Sequence, residues 1–341
     1  MTISRIFLPR WDLAVEFRAP ATKVVLLATA LVAALYGCSQ DVRVLLQSSR
    51  GTPIGFEFSP GGGVLAVRTG LSELSLVSTA SWGIKKCPIR TRAFTFVDSE
   101  LAAIIGDDGR LYMVDARTGR SVSSFQIPGH TVGNLAACNG CICVPVASGD
   151  SSTGSSTMLV MDQQGKMLKK FPTLSMSASP AERPVTASRD GKWLVVLGWD
   201  RAIVYRASKW QKAADIRGGF AEGYLGGFLT QSAFSSDGKL LLLGNEGFLK
   251  IFDTRTWKGN ALHPHPGHLI QAILPNPSNI GFLVLLHDGS LRDASDTLTR
   301  VVAGPSNGSA GYCIAAALGP RGTLVTGWEN GEIRRQVVLS N

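Results

Sequence analysis

From residue 42 onward the apolar positions fall in short runs, each stopped by a polar turn that carries glycine. Residues 232–257 show the plan most clearly. One strand spans 232–235 and ends at Asp237-Gly238. A second spans 239–243 and ends at Asn245-Glu246-Gly247, and a third spans 248–253. Glycine supplies the positive φ of a tight hairpin turn without steric cost. Runs this short are of strand length, and no long helical period appears after residue 40.

The plan recurs. Candidate inner strands begin near Ile54, Ala93, Gly133, Pro184, Gln231, Leu269 and Gly311. Their spacing of about 38 to 51 residues is that of a four-stranded propeller blade. The turn after the inner strand recurs as Ser59-Pro60-Gly61, Arg189-Asp190-Gly191, Ser236-Asp237-Gly238 and Pro320-Arg321-Gly322. The expected fold is therefore all-β, a seven-bladed β-propeller of four-stranded blades. The last unit has only three strands, 311–318, 322–327 and 332–338, while residues 42–48 form a strand without a unit. An open blade leaves an unpaired edge. Residues 42–48 are thus expected to complete the last blade and close the ring from the N-terminal side.

These residues resemble the WD-repeat family. Gly129-His130 and Gly267-His268 match its Gly-His pair. Val114-Asp115, Met161-Asp162 and Phe252-Asp253 keep the Asp of its Trp-Asp, and no unit keeps the Trp. The resemblance covers roughly residues 42–341, through repetition of motifs that are weak singly. It implies structural roles for Asp115, Asp162 and Asp253. It also implies hydrogen bonds within a blade between His268 and Asp288 and between His130 and Asp150.

Residues 24–37 are uncharged and nearly all apolar, and Arg5, Arg10, Arg18 and Lys23 precede them. As a helix they rise about 21 Å, short of the roughly 30 Å of a bilayer core but right for a signal-peptide h-region. Leu35-Tyr36-Gly37-Cys38 resembles the bacterial lipobox, which implies that Cys38 becomes a lipidated N-terminus. An uncleaved anchor and an ordinary cleaved signal are the alternatives. The chain thus divides into a signal or anchor, 1–37, and a propeller, 38–341. The expected location is the cell envelope, membrane-anchored and facing away from the cytoplasm.

Charge adds a candidate surface. Lys and Arg number 34 against 25 Asp and Glu, a net charge of +9. In the family's geometry, the turns joining strands one to two and three to four share one face, here called lower. Arg117, Arg120, Lys166, Arg189, Lys192, Lys209, Lys239, Arg255, Lys258 and Arg321 fall there. Asp107, Asp108, Asp150, Asp200, Glu246, Asp288 and Glu329 fall on the upper face. A basic lower face is expected to meet an anionic membrane surface, or else to be ordinary turn chemistry. An exported protein seldom meets nucleic acid, so none is expected as a partner.

In the same geometry the two longest connections, 172–184 and 217–230, fall on the upper face. Residues 217–230 carry Phe220, Tyr224 and Phe228 between glycines. Loop aromatics on a rigid scaffold suit partner binding, and they equally suit capping the fifth blade. His263, His265, His268 and His287 cluster in sequence, and Cys138, Cys141 and Cys143 share a hairpin. Neither set has the spacing of a metal site; buried thiols or a turn disulfide fit the cysteines better. No nucleophile elbow, zinc helix or phosphate loop is present. No cofactor, metal or catalytic residue is expected. The functional expectation is a membrane-tethered, non-catalytic scaffold mediating protein–protein interaction through its loop faces. The alternatives are an exported enzyme with its site in the channel, hydrolase or quinoprotein-like, and an intracellular WD-repeat adaptor with an N-terminal anchor.

Overall fold

The computed structural model describes residues 43–47, 52–148, 155–174, 185–198, 201–217, 231–245, 248–262, 270–277, 281–294, 301–303, 311–319 and 322–338. They form seven antiparallel sheets arranged as blades in a ring. Blade 1 comprises Pro53–Phe58, Val64–Thr69, Leu74–Ser78 and Ile84–Lys86. Blade 2 comprises Thr91–Phe96, Leu101–Gly106, Arg110–Asp115 and Ser121–Gln126. Blade 3 has a divided inner strand, His130–Thr131 and Ala136–Cys138, followed by Cys141–Ser148, Ser155–Met161 and Met167–Pro172. Blade 4 comprises Val185–Ala187, Trp193–Leu197, Arg201–Arg206 and Gln211–Arg217. Blade 5 comprises Gln231–Phe234, Leu240–Asn245, Phe248–Asp253 and Gly259–Leu262. Blade 6 comprises Ile270–Pro275, Phe282–Leu286, Leu291–Asp293 and Val301–Ala303. Blade 7 comprises Cys313–Leu318, Thr323–Trp328 and Glu332–Val337, with Arg43–Gln47 paired antiparallel to the last of these, Arg43 opposite Arg335 and Gln47 opposite Glu332.

The burial pattern explains why the second strands read as unbroken apolar runs. A strand with one covered face alternates apolar and polar residues, whereas one covered on both faces does not. Phe282–Leu286 is buried at all five positions, and Leu101–Gly106 at five of six. Each blade is sandwiched between two others. The outer strands return to exposure: every residue of Ile84–Lys86 is exposed, as are most of Met167–Pro172.

Seven hydrophobic clusters occur among the described residues, and each joins two neighbouring blades. Leu74, Leu76, Phe94 and Ile104 join blades 1 and 2. Phe56, Leu65, Ala315 and Val325 join blades 1 and 7, so packing returns to its starting point. Gly327 permits that last contact, because a Cβ there would lie 2.7 Å from the Phe56 ring.

One expected boundary differs. The inner strand of blade 3 was expected from Gly133, yet His130–Thr131 already pairs with Ala147 and Val146. The strand then breaks at Asn134, whose side chain turns to blade 4. Its Nδ2 donates to the Val185 carbonyl at 2.8 Å, and the Val185 N–H donates to its Oδ1 at 3.1 Å. One side-chain amide thus copies a strand pairing between blades.

The turns from strand three to strand four reveal a second device. A residue in the left-handed region sits at the same place in five blades: Gly119 and Gly165 in blades 2 and 3, but Trp82, Trp210 and Trp257 in blades 1, 4 and 5. Their φ values are 56°, 51° and 56°. This backbone costs about 1–2 kcal/mol for a residue with a Cβ. Packing against the preceding blade offsets the strain. Trp257 meets Trp193 of blade 4 edge to face at 5.1 Å, Trp210 stacks near Phe171 of blade 3 at 6.4 Å, and Trp82 lies under Arg335 of blade 7 at 4.7 Å. At Gly165 the wedge comes from the other side, since the Phe125 ring of blade 2 fills the space where a Cβ would stand.

Strain and packing can be separated at Trp257. Trp257→Ala is expected to destabilise by about 2 kcal/mol, roughly half the cost of a fully buried tryptophan. Trp257→Gly should recover about 1 kcal/mol of that, because glycine takes the left-handed turn freely. Denaturant unfolding of both variants measures the difference; a glycine variant less stable than the alanine variant contradicts the strain.

Candidate interaction face

The lower face gathers two contiguous features. The first is a groove of about 370 Å³ between blades 4 and 5. Its walls are the strand-one-to-two turns of both blades, giving Asp190 and Lys192 on one side and Asp237, Gly238 and Lys239 on the other. Arg206, Thr254, Arg255 and Trp257 come from the three-to-four turns, and Trp193 begins the second strand of blade 4. Gly238 lets the walls meet: a Cβ there would lie 3.2 Å from the Asp190 carboxylate.

The groove's charges are mostly paired within their own turns. Lys192 Nζ lies 2.9 Å from Asp190 and Lys239 Nζ 3.1 Å from Asp237. Burial pushes the Asp190 carboxyl up, but the Ser188 hydroxyl and Lys192 outweigh it and hold it below the usual carboxylate range. Arg206 differs. Its guanidinium stands 5.4 Å over the Trp193 ring, is solvent-exposed, and has no carboxylate partner among the described residues. Two half-buried tryptophans beside an arginine are the residue types that dominate binding hot spots.

The second feature is the central channel, which opens beside the groove as a cavity of about 550 Å³. Asp190 lines both. Arg189 Nη2 donates to the Pro60 carbonyl at 2.8 Å, so blade 4 is tied to blade 1 across the mouth. The titratable residues of the described wall are Glu57, Cys138, Arg189 and Asp190. Glu57 Oε1 accepts from Thr95 Oγ1 and from the Phe96 N–H, both at 3.0 Å, which joins blade 1 to blade 2. Thr186 and Ser232 share a hydroxyl contact of 2.7 Å between blades 4 and 5. The polar groups of the channel wall thus serve contacts between blades or, as at Ser188 and Asp190, within a turn.

The residues singled out from sequence fall in several places. Asp115 and Asp253 end a third strand and Asp162 directly follows one, and each accepts a backbone N–H of the following turn: Thr118 at 2.6 Å, Lys166 at 2.8 Å and Arg255 at 2.8 Å. His130 is exposed on the divided strand of blade 3. Asp288 accepts from the N–H and hydroxyl of Ser290 at 2.8 and 2.7 Å. His287 stacks on the exposed Tyr312 ring at 4.1 Å. Cys38, Asp150, Phe220, Tyr224, Phe228, His263, His265 and His268 lie outside the described residues. No group of three or more His, Cys, Asp or Glu placed to hold a metal occurs among the described residues. Trp193, Trp257 and Arg206 were not anticipated. A signal existed in the recurring five-residue turns Ser78 to Trp82, Arg206 to Trp210 and Asp253 to Trp257.

The expected segregation of charge is weak. The lower-face turns also present Asp98, Glu100, Asp115, Asp162, Asp190, Asp237 and Asp253. On the upper face Asp107 is paired with Arg90 at 3.1 Å and Arg92 at 3.4 Å. Lys192 and Lys239 each close onto the Asp of their own turn, which weakens the single-sign field there.

Comparison with known proteins agrees on the fold. No family model and no curated protein matches the sequence. A chain in the crystal structure of the mitotic checkpoint complex is similar in structure, with a TM-score of 0.68 over 99% of both chains and 12% sequence identity. At that identity the likeness shows the fold alone, and 1616 solved chains match in structure, too many to mark one activity. The chain is a seven-bladed β-propeller. No helix among the described residues is long and apolar enough to cross a membrane.

The turn carboxylates set a pH dependence. The Thr118 hydroxyl and N–H hold Asp115 below the usual range, and the Arg255 guanidinium does the same for Asp253. A depressed carboxylate contributes stability above its unfolded pKa, about 3.9, and loses it as pH falls through the lower folded value. Stability followed by thermal unfolding should therefore decline below about pH 4, and less so in Asp115→Asn. An unchanged melting profile in acid contradicts these assignments.

Proposed function

We propose that the chain is a membrane-tethered, non-catalytic propeller that holds protein partners on its loop faces. The observation that carries this reading is the groove on the lower face, where Trp193, Trp257 and Arg206 stand together on a rigid ring beside the channel mouth. Aromatic and arginine anchors at the centre of a polar rim are what a protein interface uses. The titratable side chains of the described channel wall are engaged in contacts between blades or within turns, which favours a scaffold over a site for chemistry. Phe220, Tyr224 and Phe228, outside the described residues, are a second candidate contact. The tether is the apolar segment 24–37 or a lipid on Cys38, which would place the propeller at the cell envelope, away from the cytoplasm.

One experiment addresses tether and partner together. A photo-crosslinking residue is placed in living cells at position 206, or as a control at Val122, which is 67% exposed on the outer strand of blade 2. The membrane fraction is then analysed by mass spectrometry. The expected result is a discrete protein adduct from position 206 and none from 122, with the chain in membranes and its N-terminal peptide either lipidated at Cys38 or retaining 24–37. Equal adducts from both positions remove the groove as the partner site. A chain found only in the soluble fraction removes the tether.

A further inference from the structure

The second strand of blade 3 is entered through a hairpin in which Cys138 and Cys141 are direct partners across Asn139-Gly140. Asn139 and Gly140 have φ of 53° and 71°, the doubly left-handed geometry of the tightest hairpins. Opposed residues of an antiparallel pair project to the same side, with Cα atoms about 5.5 Å apart in a hydrogen-bonded pair. A disulfide spans about 4.4–6.8 Å between Cα atoms. Cys143 shares that side, and all three thiols pack between blades 3 and 4. Cys138 is 2% exposed and Cys143 fully buried, whereas Cys141 is half-buried at the turn.

This hairpin is locked to the channel mouth. Cys138 Sγ donates to the carbonyls of Gly191 at 3.3 Å and Trp193 at 3.5 Å, in the lower turn of blade 4. A Cβ on Gly191 would stand 2.9 Å from the Asn139 nitrogen, so the two turns are in direct contact. The same blade 4 turn carries Arg189, which bridges to Pro60 across the mouth.

We propose that Cys138 and Cys141 form a dithiol–disulfide site, oxidised by exchange with a disulfide-bearing donor, and that its oxidation loosens the blade 4 turn at the channel mouth. The inference goes beyond the scaffold reading and does not rest on it. Cys141, the accessible thiol, loses its proton and attacks a donor sulfur. The donor S–S bond breaks, a mixed disulfide forms at Cys141, and one donor thiolate leaves. Cys138 then loses its proton and attacks the Cys141 sulfur, expelling the second donor thiolate. The two protons end on the two donor thiols. The pair is oxidised by two electrons and the donor reduced by two. Cys138 no longer has a proton to donate to Gly191 and Trp193. The Trp193 carbonyl keeps the Ser188 N–H at 2.9 Å, and the Gly191 carbonyl loses its thiol donor. Burial pushes the Cys138 thiol up to about 12 and raises Cys141 as well, so exchange is slow at neutral pH and quickens as pH rises.

The full chain in detergent micelles is incubated with oxidised or reduced glutathione. It is then denatured, alkylated and mapped by mass spectrometry, with hydrogen exchange read on residues 188–193 before denaturation. The expected result is that Cys138 and Cys141 escape alkylation together, having lost two hydrogens, while Cys87, Cys143 and Cys313 are alkylated. Exchange at Gly191 and Lys192 should quicken about fivefold, the factor for one net hydrogen bond. Cys141→Ser should abolish the disulfide, and Cys138→Ser should hold glutathione at Cys141. The wild-type chain decides alone if a variant fails to fold. Alkylation of Cys138 after oxidation, a bond to Cys143, or a Cys138–Cys141 disulfide with unchanged exchange at 188–193 each overturns the proposal.

Discussion

The constraint on which everything else depends is that each large apolar cluster in this protein belongs to two blades. A four-stranded sheet here has two apolar faces and cannot cover either by itself. Leu241 and Leu243 turn to blade 4, while Leu242 and Leu249 turn to blade 6. Each blade is therefore folded only in the presence of both neighbours, and the ring is the smallest unit that satisfies them all. The tryptophan turns belong to the same requirement. A tryptophan accepts a left-handed backbone at Trp82, Trp210 and Trp257 because the preceding blade offers a surface that a glycine would leave uncovered.

That constraint decides where chemistry can reside. The inner strands are drawn together by Glu57, Asn134 and the Thr186–Ser232 pair, so most polar side chains along the channel are used between blades. The turn carboxylates Asp115, Asp162 and Asp253 are used within their turns. Among the described residues, Arg206 on Trp193 stands out where blades 4 and 5 meet at the lower face, because its charge is not consumed locally.

Much of the fold was legible in the sequence. Leu240–Asn245 and Phe248–Asp253 could be placed because their apolar runs end at Gly-bearing turns, a local cue. The division of blade 3 was not legible, because it depends on Asn134 reaching a strand 51 residues away. The groove was missed for a related reason. Trp257 sits where turn chemistry calls for glycine, and only contact with Trp193 explains it. The pairing of Lys192 and Lys239 was not legible, since it depends on the aspartates that their turns fold them onto.

The most direct test of the central claim, that this ring binds its partner through the lower face at blades 4 and 5, is a hydrogen-exchange footprint of the chain with its crosslinked partner. The expected result is protection at residues 188–193, 206–210, 237–239 and 253–258, with the His287–Tyr312 surface unchanged. Protection confined to the upper face around His287 and Tyr312, with the blade 4 and 5 turns exchanging as in the free chain, would contradict it.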